Sequence, residues 1–354
     1  HTRRLHFAKQ LIDQTRLPMQ DIAVAAGYGS VRRFNDAFVK TYGRSPRELR
    51  RTGDAAAAGD PDTVLTVSLS CRAPFDWSSL LAFFAARAVP GVESIDGGCY
   101  RRTVKIDGPP GVIEVRQDQD KVLLAMHGIA TQNIFPVVQQ CREVFDLDAP
   151  MQEITRVLSQ DALLARRLGR SPGVRVPGAW DGFELAVRAV LGQQISVKAA
   201  TTIAGRLAKA YGEPVKDKAG SGLTRLFPVP ERLARAQFKN MGITTNRAAT
   251  LRRLASAVID GSLNFDTAQD PAAFRESLLA IPGIGEWTAQ YVAMRALKNP
   301  DAFPAADLGL LRAFDMPGQE RLRPAHLEEM SQAWRPWRAY AALLLWSPAA
   351  GSGG

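Results

Sequence analysis

The chain has 354 residues, 46% of them hydrophobic, a formal net charge of +10 and only three cysteines. That length exceeds one typical core and allows two or three domains. No apolar run approaches the roughly 18 residues of a membrane span and no signal-like N-terminus appears, so a soluble, cytoplasmic protein is expected.

Cys71, Cys99 and Cys141 are far apart and odd in number, so they suggest neither a disulfide framework nor an iron–sulfur cluster, and read as reduced, buried thiols. The positive charge is uneven. Residues 1–52 hold 11 Lys/Arg against 4 Asp/Glu, a net +7, and residues 53–354 hold 34 against 31, a net +3. The strongest generic footprint for nucleic acid is therefore N-terminal, although charge alone also fits a solvated face.

The chain starts at His1 inside a helical pattern (Leu5, Ala8, Leu11, Ile12), as a fragment of a longer product would. A short helix over 19–26 with Ile22, Ala23 and Ala26 inward is followed by Gly27-Tyr-Gly-Ser30 and a second helix capped by Ser30, which makes a helix-turn-helix. The segment 52–61, rich in Gly, Ala and Asp, reads as a linker. Strands are expected over 64–69, 100–106, 112–116 and 122–126, broken by Gly-Gly, Gly-Pro-Pro-Gly and Asp-Gln-Asp, with helices over 77–88 and 134–145 between them. From Ile154 to Trp346 helical periodicity dominates, with stops at Gly169, Pro177, Gly212, Pro228-Val-Pro230, Gly242 and Gly261. The residues after Trp346 read as a flexible tail.

Two runs carry chemistry. In Leu279-Ala-Ile-Pro-Gly-Ile-Gly-Glu-Trp-Thr-Ala289, Pro282 ends one helix while Gly283 and Gly285 permit a tight turn that brings backbone N–H groups to an anion such as a DNA phosphate. Phe303-Pro-Ala-Ala-Asp307 follows, its carboxylate twenty residues after Trp287. By itself Asp307 reads as the N-cap of a helix starting near Leu308, a place that leaves its carboxylate free for a second role. Trp287 and Tyr291 share one helix face. Such a pair is more often core than pocket, and the neighbouring hairpin reverses those odds.

These runs resemble the helix-hairpin-helix DNA glycosylases, over roughly residues 63–346. Bifunctional members of that superfamily carry a Schiff-base Lys two residues after the second hairpin glycine, and this chain has Trp287 there. The resemblance therefore narrows to the monofunctional 3-methyladenine DNA glycosylase II family, the AlkA type, which Val190-Leu-Gly-Gln-Gln194-Ile-Ser-Val197 and Trp334-Arg-Pro-Trp-Arg338 also match. It disfavours a lyase acting on oxidised bases. The N-terminal motif with Tyr42-Gly-Arg-Ser-Pro46 resembles the second helix-turn-helix of AraC-type regulators, whose partner motif is missing, so the whole looks like a piece of an Ada/AlkA-type fusion.

The resemblance implies a multidomain, mainly α protein. Its parts are a partial AraC-type helix-turn-helix (1–52), a linker (53–62), a small α+β antiparallel sheet domain (63–150), all-α helix-hairpin-helix glycosylase domains (151–346) and a tail (347–354). The implied activity is flipping and excision of alkylated purines from double-stranded DNA, leaving an abasic site. It implies Asp307 as the catalytic carboxylate, and Trp287, Tyr291 and Trp346 as stacking aromatics that favour a cationic base by about 0.5–2 kcal/mol through cation–π attraction. Trp334 and Trp337 read as packing.

The backbone N–H groups of Gly283, Gly285 and Thr288 would hold phosphate, and the carbonyls of Leu279, Ile281 and Ile284 a monovalent cation; no cofactor is required for the chemistry. The wedge that fills the gap left by the flipped base maps to Gln194, polar where the family is apolar, beside Gln193 and Ile195. Ser196 and Lys198 fit backbone contacts or a helix cap and its solvated face equally. Ser30, Arg32, Arg33 and Asn35 would face the major groove. A monomer is expected. The rival reading is a transcriptional regulator of the adaptive response, in which the glycosylase fold only senses damaged DNA.

Overall fold

The computed structural model describes residues 2–51, 64–216, 220–315 and 321–347. The expected linker at 53–62 and the tail beyond Ser347 lie outside the described residues. No helix of the described residues is long and apolar enough to cross a membrane. The chain divides into two compact units, the first formed by 1–71, 91–142 and 214–226, the second by 72–90, 143–213 and 227–354.

The first unit carries the N-terminal helices and a sheet. α1 (Thr2–Gln14) buries Leu5, Phe7, Ala8, Leu11 and Ile12 on one stripe. α2 (Met19–Ala25) and α3 (Val31–Tyr42) form the expected helix-turn-helix: Gly27 turns at φ +75°, the Ser30 hydroxyl accepts the Arg33 N–H at 3.2 Å, and α4 (Pro46–Arg51) follows.

Five antiparallel strands, β1 (Leu65–Ser70), β2 (Glu93–Asp96), β3 (Cys99–Val104), β4 (Gly111–Asp118) and β5 (Lys121–His127), pair in the order β1-β5-β4-β3-β2. β2 is unexpected from sequence. It is four residues long and joined to β3 by Gly97-Gly98, both at positive φ, as a two-residue hairpin demands. β1 is an edge strand, and α1 covers it: the Gln10 side-chain amide donates to the Ser68 carbonyl at 2.7 Å, and the Ser68 N–H donates to Gln14 at 2.9 Å. Phe7 packs on Phe135, with ring centroids 5.2 Å apart.

Residues 214–226, expected among the helical domains, join the sheet unit through Thr224 N–H to Gly91 O and Thr103 Oγ1 to Arg225 O. Cys99 and Cys141 are buried thiols as expected, whereas Cys71 is half-exposed.

The second unit is helical. α5 (Trp77–Ala85) is followed by α6 (Ile134–Val144), most of which belongs with the sheet. α7 (Met151–Leu158) and α8 (Ala162–Arg170) come next, and α8 passes through the expected stop at Gly169. α9 (Gly182–Leu191), buried from Phe183 to Val187, is the central helix. Around it pack α10 (Val197–Tyr211), α12 (Thr245–Ile259) and α14 (Glu286–Ala296); α11 (Pro230–Ala234) and α13 (Pro271–Leu279) complete the layer. α15 (Leu308–Arg312), α16 (Pro324–Ser331) and α17 (Arg338–Trp346) close the chain.

Trp334 is buried with its indole N–H on Asp161, in agreement with a packing role, and Trp337 is half-buried against Tyr340. α17 is anchored by the Tyr340 hydroxyl, which donates to Asp146 at 2.8 Å. Burial pushes the Asp146 carboxyl up to about 6 against the pull of the Tyr340 and Val176 donors and the Arg175 charge.

Candidate active site

A cavity of about 420 Å³, of the size that holds small-molecule ligands, opens in the second unit. Trp287, Tyr291, Trp346, Asp307 and Ile195 line it, so the structure brings five of the sequence-derived residues together. α14 supplies Trp287 and Tyr291 four residues apart, their rings stacked at 5.2 Å and 10°. Trp346, at the end of α17, lies 6.4 Å from Tyr291.

Asp307 is both an N-cap and a cavity residue. Its Oδ1 accepts the Leu310 N–H at 3.0 Å and the Trp346 indole N–H at 2.8 Å, and Oδ2 accepts the Trp287 indole N–H at 2.7 Å. The two indoles that line the cavity therefore also fix the carboxylate. A side chain at Gly309 would meet Asp307 Oδ1 at 2.9 Å and Trp346 at 3.1 Å, so only glycine lets the two come together there.

Sequence reasoning missed the far wall. Phe83 comes from α5, Arg87 from the turn just past its end, Arg188 from α9, and Arg295 lies one turn beyond Tyr291 on α14. Buried Arg295 is fully engaged, donating to Pro177 O, Gly178 O and, at 2.6 Å, the Tyr291 hydroxyl. Burial alone would raise the Tyr291 phenol, but the charges of Arg295, Arg87 and Arg188 and the Arg295 hydrogen bond outweigh it and hold it below its ordinary value.

The hairpin between α13 and α14 has the expected shape. Gly283 sits at φ +97°, and no acceptor among the described residues takes the N–H of Gly283 or Gly285. Ile281 O accepts the Ile284 N–H at 3.0 Å, whereas the Leu279 and Ile284 carbonyls accept no hydrogen bond among the described residues. Gln193 is tied down, its amide donating to Gly283 O at 3.0 Å and Thr288 Oγ1 at 3.2 Å. Gln194 next to it is exposed at φ +58°, and Ser196 caps α10. In the first unit, Ser30, Arg32, Arg33 and Asn35 are all exposed on the N-terminal half of the α3 motif.

Family models match at residues 1–52 (a helix-turn-helix domain), 66–181 (the AlkA N-terminal domain) and 187–339 (HhH-GPD superfamily base excision DNA repair protein). DNA-3-methyladenine glycosylase 2 of Escherichia coli is 35% identical over 287 residues, covering 79% of this chain and 96% of that protein. The chain belongs to the DNA-3-methyladenine glycosylase 2 family.

A Mycobacterium tuberculosis protein described as a probable bifunctional transcriptional activator/DNA repair enzyme AlkA is 40% identical, covering 97% of this chain and 69% of that one. The solved 3-methyladenine DNA-glycosylase from Archaeoglobus fulgidus shares the glycosylase fold, with a TM-score of 0.69 at 22% identity over 80% of this chain and 97% of that one.

Proposed function

We propose that the protein is a monofunctional DNA N-glycosylase that excises alkylated purines of the 3-methyladenine and 7-methylguanine class from double-stranded DNA as a monomer. The observation that carries this reading is a single carboxylate, Asp307, clamped by the N–H groups of two indoles that line an aromatic cavity. Breaking the bond between C1′ and the base builds positive charge on the sugar, and a preorganised carboxylate stabilises that charge where water is excluded. A carboxylate offers about four lone-pair sites; three are filled by N–H donors, which leaves roughly one for the sugar or its attacking water. The aromatic faces of Trp287, Tyr291 and Trp346 attract a cationic base.

The unused N–H groups of Gly283 and Gly285, with Thr288 behind them, would hold a phosphate at the start of α14. A monovalent cation on the Leu279, Ile281 and Ile284 carbonyls fits their open lone pairs and would supply charge facing that phosphate. Gln194, exposed and held at φ +58°, or Ile195 in the cavity wall would fill the gap left by the flipped base.

No amine stands where a Schiff base would form, because Trp287 occupies that place. The product should be an intact abasic strand, and borohydride should trap no protein–DNA adduct. A trapped species abolished by mutating a cavity-proximal lysine would overturn the monofunctional assignment.

The exposed face of α3 favours a second role, a grip on DNA through Ser30, Arg32, Arg33 and Asn35. Deleting residues 1–52 would uncover β1, so charge removal is the cleaner test. Arg32→Ala with Arg33→Ala should lower the slope of log affinity against log salt by about 2 while leaving the ratio of released bases unchanged. An unchanged slope would remove α3 from the DNA interface.

A further inference from the structure

The cavity wall is mostly aromatic and aliphatic, with a few charged groups set into it. Along α14, Trp287, Tyr291 and Arg295 succeed one another at intervals of four residues: Trp287 reaches the Asp307 carboxylate, and Arg295 binds the Tyr291 hydroxyl. With Arg87 and Arg188 in the wall, the lining carries three guanidinium groups and one carboxylate.

Two of the three guanidiniums are committed. Arg295 spends Nε, Nη1 and Nη2 on Pro177 O, Tyr291 and Gly178 O. Arg188 pairs with buried Glu184 at 2.9 Å and donates to Arg87 O. Arg87 differs: it lies over the Phe83 ring at 3.8 Å and donates Nη1 to Phe83 O at 3.2 Å, while its Nε and Nη2 have no partner among the described residues. With the Arg188 charge offset by Glu184, Arg87 and Arg295 still leave an unexpectedly positive wall for a pocket that receives only cationic bases, since like charge disfavours them.

We infer that Arg87, backed by Arg188 and Arg295, is a specificity-determining residue that stabilises the negative charge left on a neutral lesion base when it departs. The inference rests on the reading of the cavity as the base pocket. When a neutral purine leaves, the C1′–N9 bond breaks and its electron pair goes to the ring, which departs as an anion and takes a proton from solvent; water adds its oxygen to C1′ and loses a proton. When an N7-alkylated purine leaves, the same pair cancels the ring charge and the base departs neutral. A donor with a full positive charge at the far edge stabilises the first transition state and opposes binding of the second substrate. Pocket charge would thus tune the balance between the two lesion classes, with Asp307 facing the sugar in both.

The test is Arg87→Met, which keeps the aliphatic stem over Phe83 and removes charge and donors, with Arg87→Lys as the conservative variant. Single-turnover release is measured for the full chain on duplexes carrying one hypoxanthine or one 7-methylguanine, and thermal melting checks the fold. Arg87→Met should release hypoxanthine about tenfold or more slowly, the scale of one charge-assisted donor, with 7-methylguanine changed less than about twofold or faster. Arg87→Lys should restore part of the hypoxanthine rate. Equal losses on both duplexes in a folded variant, an unchanged hypoxanthine rate, or no hypoxanthine release by the wild type would overturn the inference. If Arg87→Met does not fold, Arg87→Gln carries the same comparison. Failure of the wild type to release 7-methylguanine would instead sink the glycosylase reading itself.

Discussion

Asp307→Asn should slow single-turnover excision by about 10²-fold or more, the scale of losing a preorganised electrostatic group facing the reaction centre. Asparagine matches the shape but cannot replace the contacts. One oxygen can still accept the Leu310 N–H and one indole, but the new amide would point N–H at the second indole N–H, which sits 2.7–2.8 Å from the carboxylate. One half-buried donor then loses its acceptor, at the low end of about 1–3 kcal/mol. Excision should therefore fall much further than binding to an abasic duplex, and melting should drop modestly. Undiminished excision would take Asp307 out of its role.

Gly283→Ala should be the most damaging change in the hairpin. A Cβ there would sit 2.0 Å from Thr250 Oγ1, and the backbone at φ +97° is strained for any L side chain. Thr250 cannot retreat freely, since its hydroxyl bonds Pro282 O at 3.0 Å and Asn246 O at 3.2 Å. Backbone strain and overpacking together cost about 2–5 kcal/mol. They would tilt the hairpin off α12 and carry the Gly283 and Gly285 N–H groups away from the phosphate. Affinity for duplex DNA should fall about tenfold or more, with lowered stability. Thr250→Ala, which frees that space, should cost much less. Equal affinity for Gly283→Ala and wild type would remove the hairpin from the DNA interface.

How far the site was legible follows from what local sequence can encode. The hairpin was readable because Pro282, Gly283 and Gly285 dictate backbone geometry, and the shared face of Trp287 and Tyr291 followed from helical period. Spacing cannot show where an indole N–H points, so the double clamp on Asp307 was not readable. Nor was the far wall: Phe83 and Arg87 meet Arg295 across more than two hundred residues, and at the end of the helix expected over 77–88 Arg87 looks like an ordinary charged helix end. β2 was lost because four residues carry too little alternation, although Gly97-Gly98 is a hairpin signal. Residues 214–226 were misplaced because their sheet partners, Gly91 and Thr103, lie more than a hundred positions away.

The most direct test of the central claim is chromatography of the bases freed when the protein is incubated with methylated duplex DNA. The account predicts free 3-methyladenine and 7-methylguanine, with the strand left intact at the abasic sites. No freed base, with damaged DNA still bound, would contradict it and leave the cavity as a sensor of damage.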